Sequence, residues 1–438
     1  MAERIERAAV PFAGEGSGVA ELSWGQRELW GGMQRQKTWM PLRAVRPLAP
    51  GTTLDQIVTD LRYLVGRHES LRTRLRFDPD GVKQVVASAG ELTMEIVDAE
   101  PGADPTAVAQ RVAQRFWDTD YDFAGEWPVR VAVIRHRGVP RQLVWVMCHL
   151  VTDAFGATVM LKERAERPAG PPAGLPPLAQ AHWQRSPAGQ RQCQAALQHW
   201  ERQLRTIPAR RFPATTYRPS PRFWHGSFAS PAMHLAARAI AARTQVDDAA
   251  VLLAVFAVAL ARVTGIHPVV TRVVVSNRFR THLAATVSPI SQSGLFTIDV
   301  RDATVDEIVM RTERRTMATY KYAYYDPYQM DELVARVSRE RGEEIDLACF
   351  FNDRRTARPE SAVPTPEQLL AARPQTGFKW VDKQDEQPYE RLFVHLDDVP
   401  DTVSMSVFID SHHVAPADVE ACLRGMEQVA VTAALSSK

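Results

Sequence analysis

The 438-residue sequence is poor in cysteine, and its four residues, Cys148, Cys193, Cys349 and Cys422, are widely scattered. They show no CxxC spacing and no His-Cys cluster, which argues against a disulfide scaffold or a structural zinc site. Charge of one sign is lacking too: 53 Lys and Arg face 51 Asp and Glu, a net charge of +2. A dedicated nucleic-acid or membrane-surface protein would carry a concentrated basic field. Long apolar runs are also missing. The longest, Ala249 to Ala261, is too short to span a bilayer and reads as a buried helix. Residues 1–18 hold charges and glycines but no continuous apolar signal core, and read as a flexible leader. The expectation is a cytoplasmic monomer with no bound metal, nucleic acid or membrane partner.

What is present is ordinary globular composition, with 45% hydrophobic and 24% charged residues. The length favours two domains of roughly 200 residues each. Apolar residues at helical spacing mark Leu22–Gln34, with Ser23 as cap, and Thr53–His68. Arg74–Phe77 and Val82–Ala87 read as paired strands around Asp78-Pro79-Asp80-Gly81. Asp104 caps a helix with Pro105 at its first position. Val129–His136 and Gln142–His149 follow as neighbouring strands, then a helix over Gly156–Glu166. Two proline-rich stretches, Arg167–Pro177 and Pro208–Arg222, forbid regular helix or central strand. The second places the domain boundary: a half over residues 19–208, a linker over 209–222, and a half over 223–438. Both halves mix helix and strand, so the fold class is α+β.

The chemistry centres on Val146-Met147-Cys148-His149-Leu150-Val151-Thr152-Asp153-Ala154-Phe155-Gly156. A β-type run delivers an imidazole at its end, and His titrates near neutral pH, where proton transfer is useful. Asp153 would anchor the turn that carries it.

These residues stand in an ordered series. Leu22-Ser23-Trp24-Gly25-Gln26-Arg27-Glu28-Leu29-Trp30 resembles the opening motif of the condensation domains of nonribosomal peptide synthetases, L-S-x-A-Q-x-R-L-W. Arg67-His68-Glu69-Ser70-Leu71-Arg72-Thr73 matches that family's R-H-E-x-L-R-T at every fixed position. Cys148-His149-x-x-x-Asp153-Ala154 falls where the family has H-H-x-x-x-D-G, and Ala181-His182-Trp183-Gln184 resembles A-x-W-Q. Val287-Ser288-Pro289-Ile290-Ser291-Gln292-Ser293 is similar to V-G-x-F-x-N-T, and Asp326-Pro327-Tyr328 with Leu333-Val334 to D-x-P-F-x-x-L-V.

The resemblance implies two chloramphenicol-acetyltransferase-like halves, arranged as a V-shaped pseudo-dimer with a tunnel between them. It implies an acyltransferase of natural-product and antibiotic biosynthesis that forms amide or ester bonds. An acyl group held as a thioester on the phosphopantetheine arm of an acyl or peptidyl carrier protein would pass to an amine or hydroxyl. The acceptor would be a small molecule or a second carrier-bound substrate. No cofactor is bound; the arm arrives with its carrier. Nothing in the chain resembles an adenylation or carrier domain, so the expectation is a free-standing enzyme. The alternatives are an acyl-CoA-dependent acyltransferase and a catalytically inactive domain that docks partner proteins.

His149 matches the catalytic His, as general base or acceptor-positioning group. Asp153 matches the motif Asp, and Arg67 is its expected structural partner. Gly156 lies near where a backbone amide could face an oxyanion. Cys148, Ala154, Gly156, Gln292 and Ser293 are the expected substrate-binding positions. Cys148 replaces the first His and reads as packing, since its neighbour on a strand faces the other way. Ala154 replaces Gly, which either strains the turn or narrows the tunnel by a methyl. Gln292 replaces Asn and lengthens the amide side chain, and Ser288 replaces another Gly. Ser276–Arg280 reads equally as an anion-binding loop or a strand-to-loop cap. Phe350–Arg355 has no assignment.

Overall fold

A computed structural model describes residues 4–356 and 362–436. The chain forms two compact units, residues 1–191 with 276–291, and residues 192–275 with 292–438.

Unit one opens with β1 (Arg4–Ala13) and β2 (Gly18–Glu21), then α1 (Trp24–Gln36), β3 (Pro41–Pro47) and α2 (Leu54–Arg67). A hairpin of β4 (Thr73–Asp78) and β5 (Gly81–Val86) precedes β6 (Ala89–Ala99) and α3 (Pro105–Asp118). β7 (Val129–His136), β8 (Val139–Cys148), α4 (Ala154–Glu166) and α5 (Pro177–Arg185) complete it. Among the described residues, one sheet runs β1-β6-β7-β8-β3 and a smaller one β2-β5-β4. Helix starts follow local capping chemistry. Ser23 and Gln26 form a reciprocal capping box on α1, as do Thr53 and Gln56 on α2. Both faces of the larger sheet are covered. Val131 and Val133 of β7 pack in one cluster with Ile57, Leu61 and Leu64 of α2. Ala132 and Ile134 pack in the other with Val108 and Val112 of α3. The near-continuous apolar run of β7 follows from burial on both sides.

Residues 4–13, expected within a loose leader, are instead strand β1, in register with β6 from Arg4↔Asp98 to Ala13↔Ala89. Residues 14–16 are held by Arg72, whose guanidinium donates to the carbonyls of Glu15, Gly16 and Ala87. Only Val10 and Phe12 of β1 are buried, so its apolar signal is faint. Residues 1–3 of the expected leader lie outside the described residues.

α6 (Pro187–Leu204) crosses the division near its start. Unit two continues with β9 (Phe223–Ser230), α7 (Pro231–Thr244), α8 (Asp248–Thr264) and β10 (Val269–Val275). After the 276–291 excursion come β11 (Gln292–Ile298), α9 (Val305–Lys321), α10 (Pro327–Arg341) and β12 (Cys349–Asp353). α11 (Pro366–Ala372), β13 (Gly377–Gln384), β14 (Leu392–Asp397), β15 (Val403–Asp410) and α12 (Pro416–Leu435) follow. Its sheet runs β11-β10-β12-β14-β15-β9-β13. α8 is apolar all round, and twelve consecutive residues from Ala250 to Ala261 are buried, which makes it the central core helix.

The expected boundary over 209–222 also moves. Phe212 is part of the unit-two core, Arg211 is buried, and the Ala209 carbonyl accepts from Asp346 N at 2.8 Å. Prolines there signal irregular backbone, not sparse packing. The units divide near Arg191, and the later half returns 276–291 to unit one. That return matters for the site.

Candidate active site

Strand β8 ends at Cys148, whose carbonyl accepts from Val151 N at 3.0 Å, closing a tight turn. Cys148 is buried in the α3-side core, with Sγ 3.7 Å from the Trp39 carbonyl. Burial pushes its thiol up to about 12. A thiol so disposed stays protonated and weakly nucleophilic near neutral pH.

His149 follows, half-buried, with Nδ1 2.9 Å from the Thr152 carbonyl oxygen. A carbonyl only accepts, so Nδ1 carries the hydrogen. In the neutral ring the basic lone pair is then on Nε2. The turn that carries the imidazole also sets its tautomer.

Asp153 is the N-cap of α4, and Oδ1 accepts from Gly156 N at 2.9 Å. Oδ1 also accepts from Arg278 Nη2 at 2.5 Å, and Oδ2 accepts from the Ser291 hydroxyl at 3.0 Å. This carboxylate is buried and bound to three donors, a structural anchor of the charge-assisted kind. Its partners Arg278 and Ser291 come from the excursion that bridges the two stretches of unit two. Arg278 also donates to the carbonyls of Thr286 and Ala284 at 2.8 and 3.2 Å, so it folds its own loop as well. Asn277 starts that loop in the left-handed region, at φ 58°, and its amide donates to the Ile290 carbonyl at 3.0 Å. Of the two readings of Ser276–Arg280, the cap is the one seen: the anion held by Arg278 is Asp153.

Arg67 does not reach Asp153. It pairs with Glu163 at 2.5 Å and donates to the Gly170 carbonyl at 2.7 Å. Asp153 sits at the start of α4 and Glu163 lies ten residues along it, about 15 Å at the helical rise. The end of α2 meets that later turn. His68 joins the same cluster, its Nε2 3.1 Å from Glu163 Oε2.

Gly156 is fixed by crowding. A β-carbon there would lie 2.1 Å from Thr152 Oγ1 and 3.3 Å from both Arg278 Nη2 and the Thr286 carbonyl. Its amide, expected to face an oxyanion, is committed to the Asp153 cap. Ala154 is the first residue of α4; its helical backbone needs no glycine, so no strain arises from the replacement. Gln292 and Ser293 belong to β11 of unit two. Both ends of the Gln292 amide bond the Tyr325 backbone, Nε2 to O at 3.0 Å and Oε1 from N at 3.3 Å. Ser293 Oγ accepts from Arg272 Nε at 2.7 Å.

The opening motifs are structural. Trp24 N donates to Gln184 Oε1 at 2.9 Å, joining the first motif to the A-x-W-Q fragment. Gly25 stands where the motif has Ala; a β-carbon there would lie 2.0 Å from the Pro289 carbonyl. The 276–291 loop therefore presses directly on α1. Sequence reasoning missed Glu163 as the partner of Arg67, and Ser291 and Arg278 as partners of the Asp153 carboxylate.

The condensation-domain family matches residues 26–364. A nonribosomal peptide synthetase of Curvularia clavata is 27% identical over 352 residues, 74% of this chain but 3% of that protein. The chain therefore spans a small fraction of the curated relatives it matches. The structure resembles that of a condensation domain studied for chain release from the enacyloxin polyketide synthase. The TM-score is 0.73 at 21% identity, covering 95% of this chain and 83% of the other. It also resembles the X-domain from teicoplanin biosynthesis, at TM-score 0.70 and 17% identity, covering 97% of each chain. At those identities the likeness establishes the fold, and it agrees with the two-part α+β architecture expected. The match over most of the sequence establishes more: this chain belongs to the condensation-domain family, whose members build amide and ester bonds in natural-product synthesis.

Proposed function

We propose that this chain transfers an acyl group from a carrier-protein phosphopantetheine thioester to an amine or hydroxyl acceptor, with His149 as general base or acceptor-positioning group. The observation that carries the reading is the His149 Nδ1 to Thr152 carbonyl contact of 2.9 Å, which leaves Nε2 as the basic nitrogen. A thioester is already activated, so the protein need supply no nucleophile. The acceptor nitrogen or oxygen attacks the thioester carbonyl and passes its proton to Nε2. The carbon–sulfur bond breaks as the new amide or ester forms, and the departing thiolate takes the proton. Asp153, held by Arg278, Ser291 and Gly156, positions the turn and takes no part in proton transfer. Cys148, Ala154, Gly156, Gln292 and Ser293 contribute shape and support, since the polar groups of all but Ala154 are engaged within the protein.

The test is intact-protein mass spectrometry of an acyl-loaded carrier incubated with the protein and a panel of amines and alcohols. Transfer by the wild type, reduced about 10²–10⁴-fold in His149→Ala, is expected. Undiminished transfer by His149→Ala overturns the assignment of the base. Carrier binding without turnover favours a docking domain, and equal transfer from acyl-CoA a CoA-dependent enzyme.

A further inference from the structure

Unit one carries a groove of about 460 Å³ lined by residues of β4, β6, α3, β7 and the loop before β7. Trp127 is built into it as a fixed platform. Its indole N–H donates to the Glu91 carbonyl at 2.9 Å, and Phe12 meets the ring edge-on at 5.1 Å. Gly90 makes room for both rings, since a β-carbon there would lie 2.6 Å from Trp127 and 2.7 Å from Phe12. The Arg74 guanidinium lies over the indole at 3.5 Å from its centroid, a cation–π contact that orients the fork.

The charges of the groove are three arginines and three glutamates. Arg115 pairs with Glu95, and Arg130 with Glu126 at 3.0 Å. Among the described residues, Arg74 pairs with no carboxylate and Glu91 with no cation, and Arg74 Nε is buried without a hydrogen-bond partner. One positive group on the indole face and one negative residue of the same groove thus lack an ion-pair partner. A buried guanidinium donor left unpaired carries a desolvation cost that a ligand oxygen removes.

We propose that this groove binds a small zwitterion of the free α-amino-acid class, its carboxylate on Arg74 and its ammonium on Glu91. A simple anion would bring its charge beside Glu91, and a simple cation beside Arg74. A zwitterion satisfies both and leaves the neutral groove neutral. The volume is within the range of small-molecule sites. The site is independent of the acyl-transfer reading.

The experiment is calorimetric titration of the whole protein with the common α-amino acids one at a time, and with acetate and methylammonium. At least one amino acid is expected to bind saturably, with acetate and methylammonium tenfold or more weaker. Glu91→Gln should weaken amino-acid binding about tenfold or more without weakening acetate. Arg74→Lys should weaken it similarly by losing the fork. Glu91 is exposed, so its variant keeps the test open should Arg74→Lys fail to fold. No saturable binding by any amino acid overturns the proposal. So does amino-acid affinity unchanged in Glu91→Gln, or acetate binding as tightly as the amino acid.

Discussion

Arg278 Nη2 lies 2.5 Å from Asp153 Oδ1, although 125 positions separate the two residues. The pair closes the turn that carries His149 onto a loop that the chain reaches only after building the first strands of unit two. Both side chains are about nine-tenths buried. The imidazole's position therefore depends on a tertiary ion pair as well as on the end of β8.

Breaking that pair should be costly. A buried ion pair that loses one partner leaves a charge uncompensated, at about 3–5 kcal/mol. Asp153→Asn keeps the shape and the helix cap but leaves Arg278 facing a neutral amide. Urea denaturation should show a loss of this order, and acyl transfer should fall with it. A variant of wild-type stability that is nonetheless inactive would assign Asp153 direct chemistry instead.

Gly156→Ala should be destabilising for a reason its backbone does not reveal. The new methyl would meet Thr152 Oγ1 at 2.1 Å, and overpacking of this kind costs about 1–3 kcal/mol. Thr152→Ala in the same chain removes that oxygen. The double variant should recover part of the loss, because the Arg278 and Thr286 contacts at 3.3 Å remain. A thermodynamic cycle over the four proteins reads the coupling; simple additivity would place the clash elsewhere.

The elements with strong local signals were legible in the sequence. The Ser23, Thr53 and Asp104 helix starts, the apolar β7 and the buried α8 all carry their pattern within a few residues. β1 was not legible: Val10 and Phe12 are its only buried residues, and its partner β6 lies some eighty residues away. The His149 turn was legible because strand, imidazole and N-cap lie in one short segment. The partner of Asp153 was not, because Arg67 and Arg278 are both remote from it in sequence, and no local pattern ranks one above the other. Only the approach of α2 to the far end of α4 decides between them. The same holds for Gln292: its position on a motif suggested a ligand contact, but β11 puts its amide on the Tyr325 backbone.

Stability should fall between neutral and acid pH through His68. Burial lowers its pKa from 6.5 to about 4, against the pull of Glu163. The native state therefore binds fewer protons than the unfolded chain across that interval. The contribution is whole above pH 6.5, declines as pH falls, and is gone by about pH 4, a swing of roughly 3 kcal/mol at most. His68→Gln keeps a donor near Glu163 without a titrating ring. Denaturation midpoints from pH 7 to 4 should fall more steeply for the wild type than for His68→Gln. Parallel profiles would show that His68 is not the group responsible.

Cys148 occupies the place of the first His of the family motif, so its substitution separates packing from chemistry. Its thiol is pushed up to about 12 by burial and sits among Val146, Leu150 and Ala132 in the core of unit one. Iodoacetamide at pH 8 should leave it unmodified in the native protein and label it after denaturation, since the thiolate is the reactive form. Cys148→Ala removes one buried sulfur and should cost about 1 kcal/mol. Because His149 and the Thr152 carbonyl that sets its tautomer are untouched, transfer from the loaded carrier should continue within a fewfold of the wild-type rate. A folded Cys148→Ala protein that has lost transfer by the factor expected for His149→Ala would make the sulfur a participant in the reaction, and the packing assignment would fall.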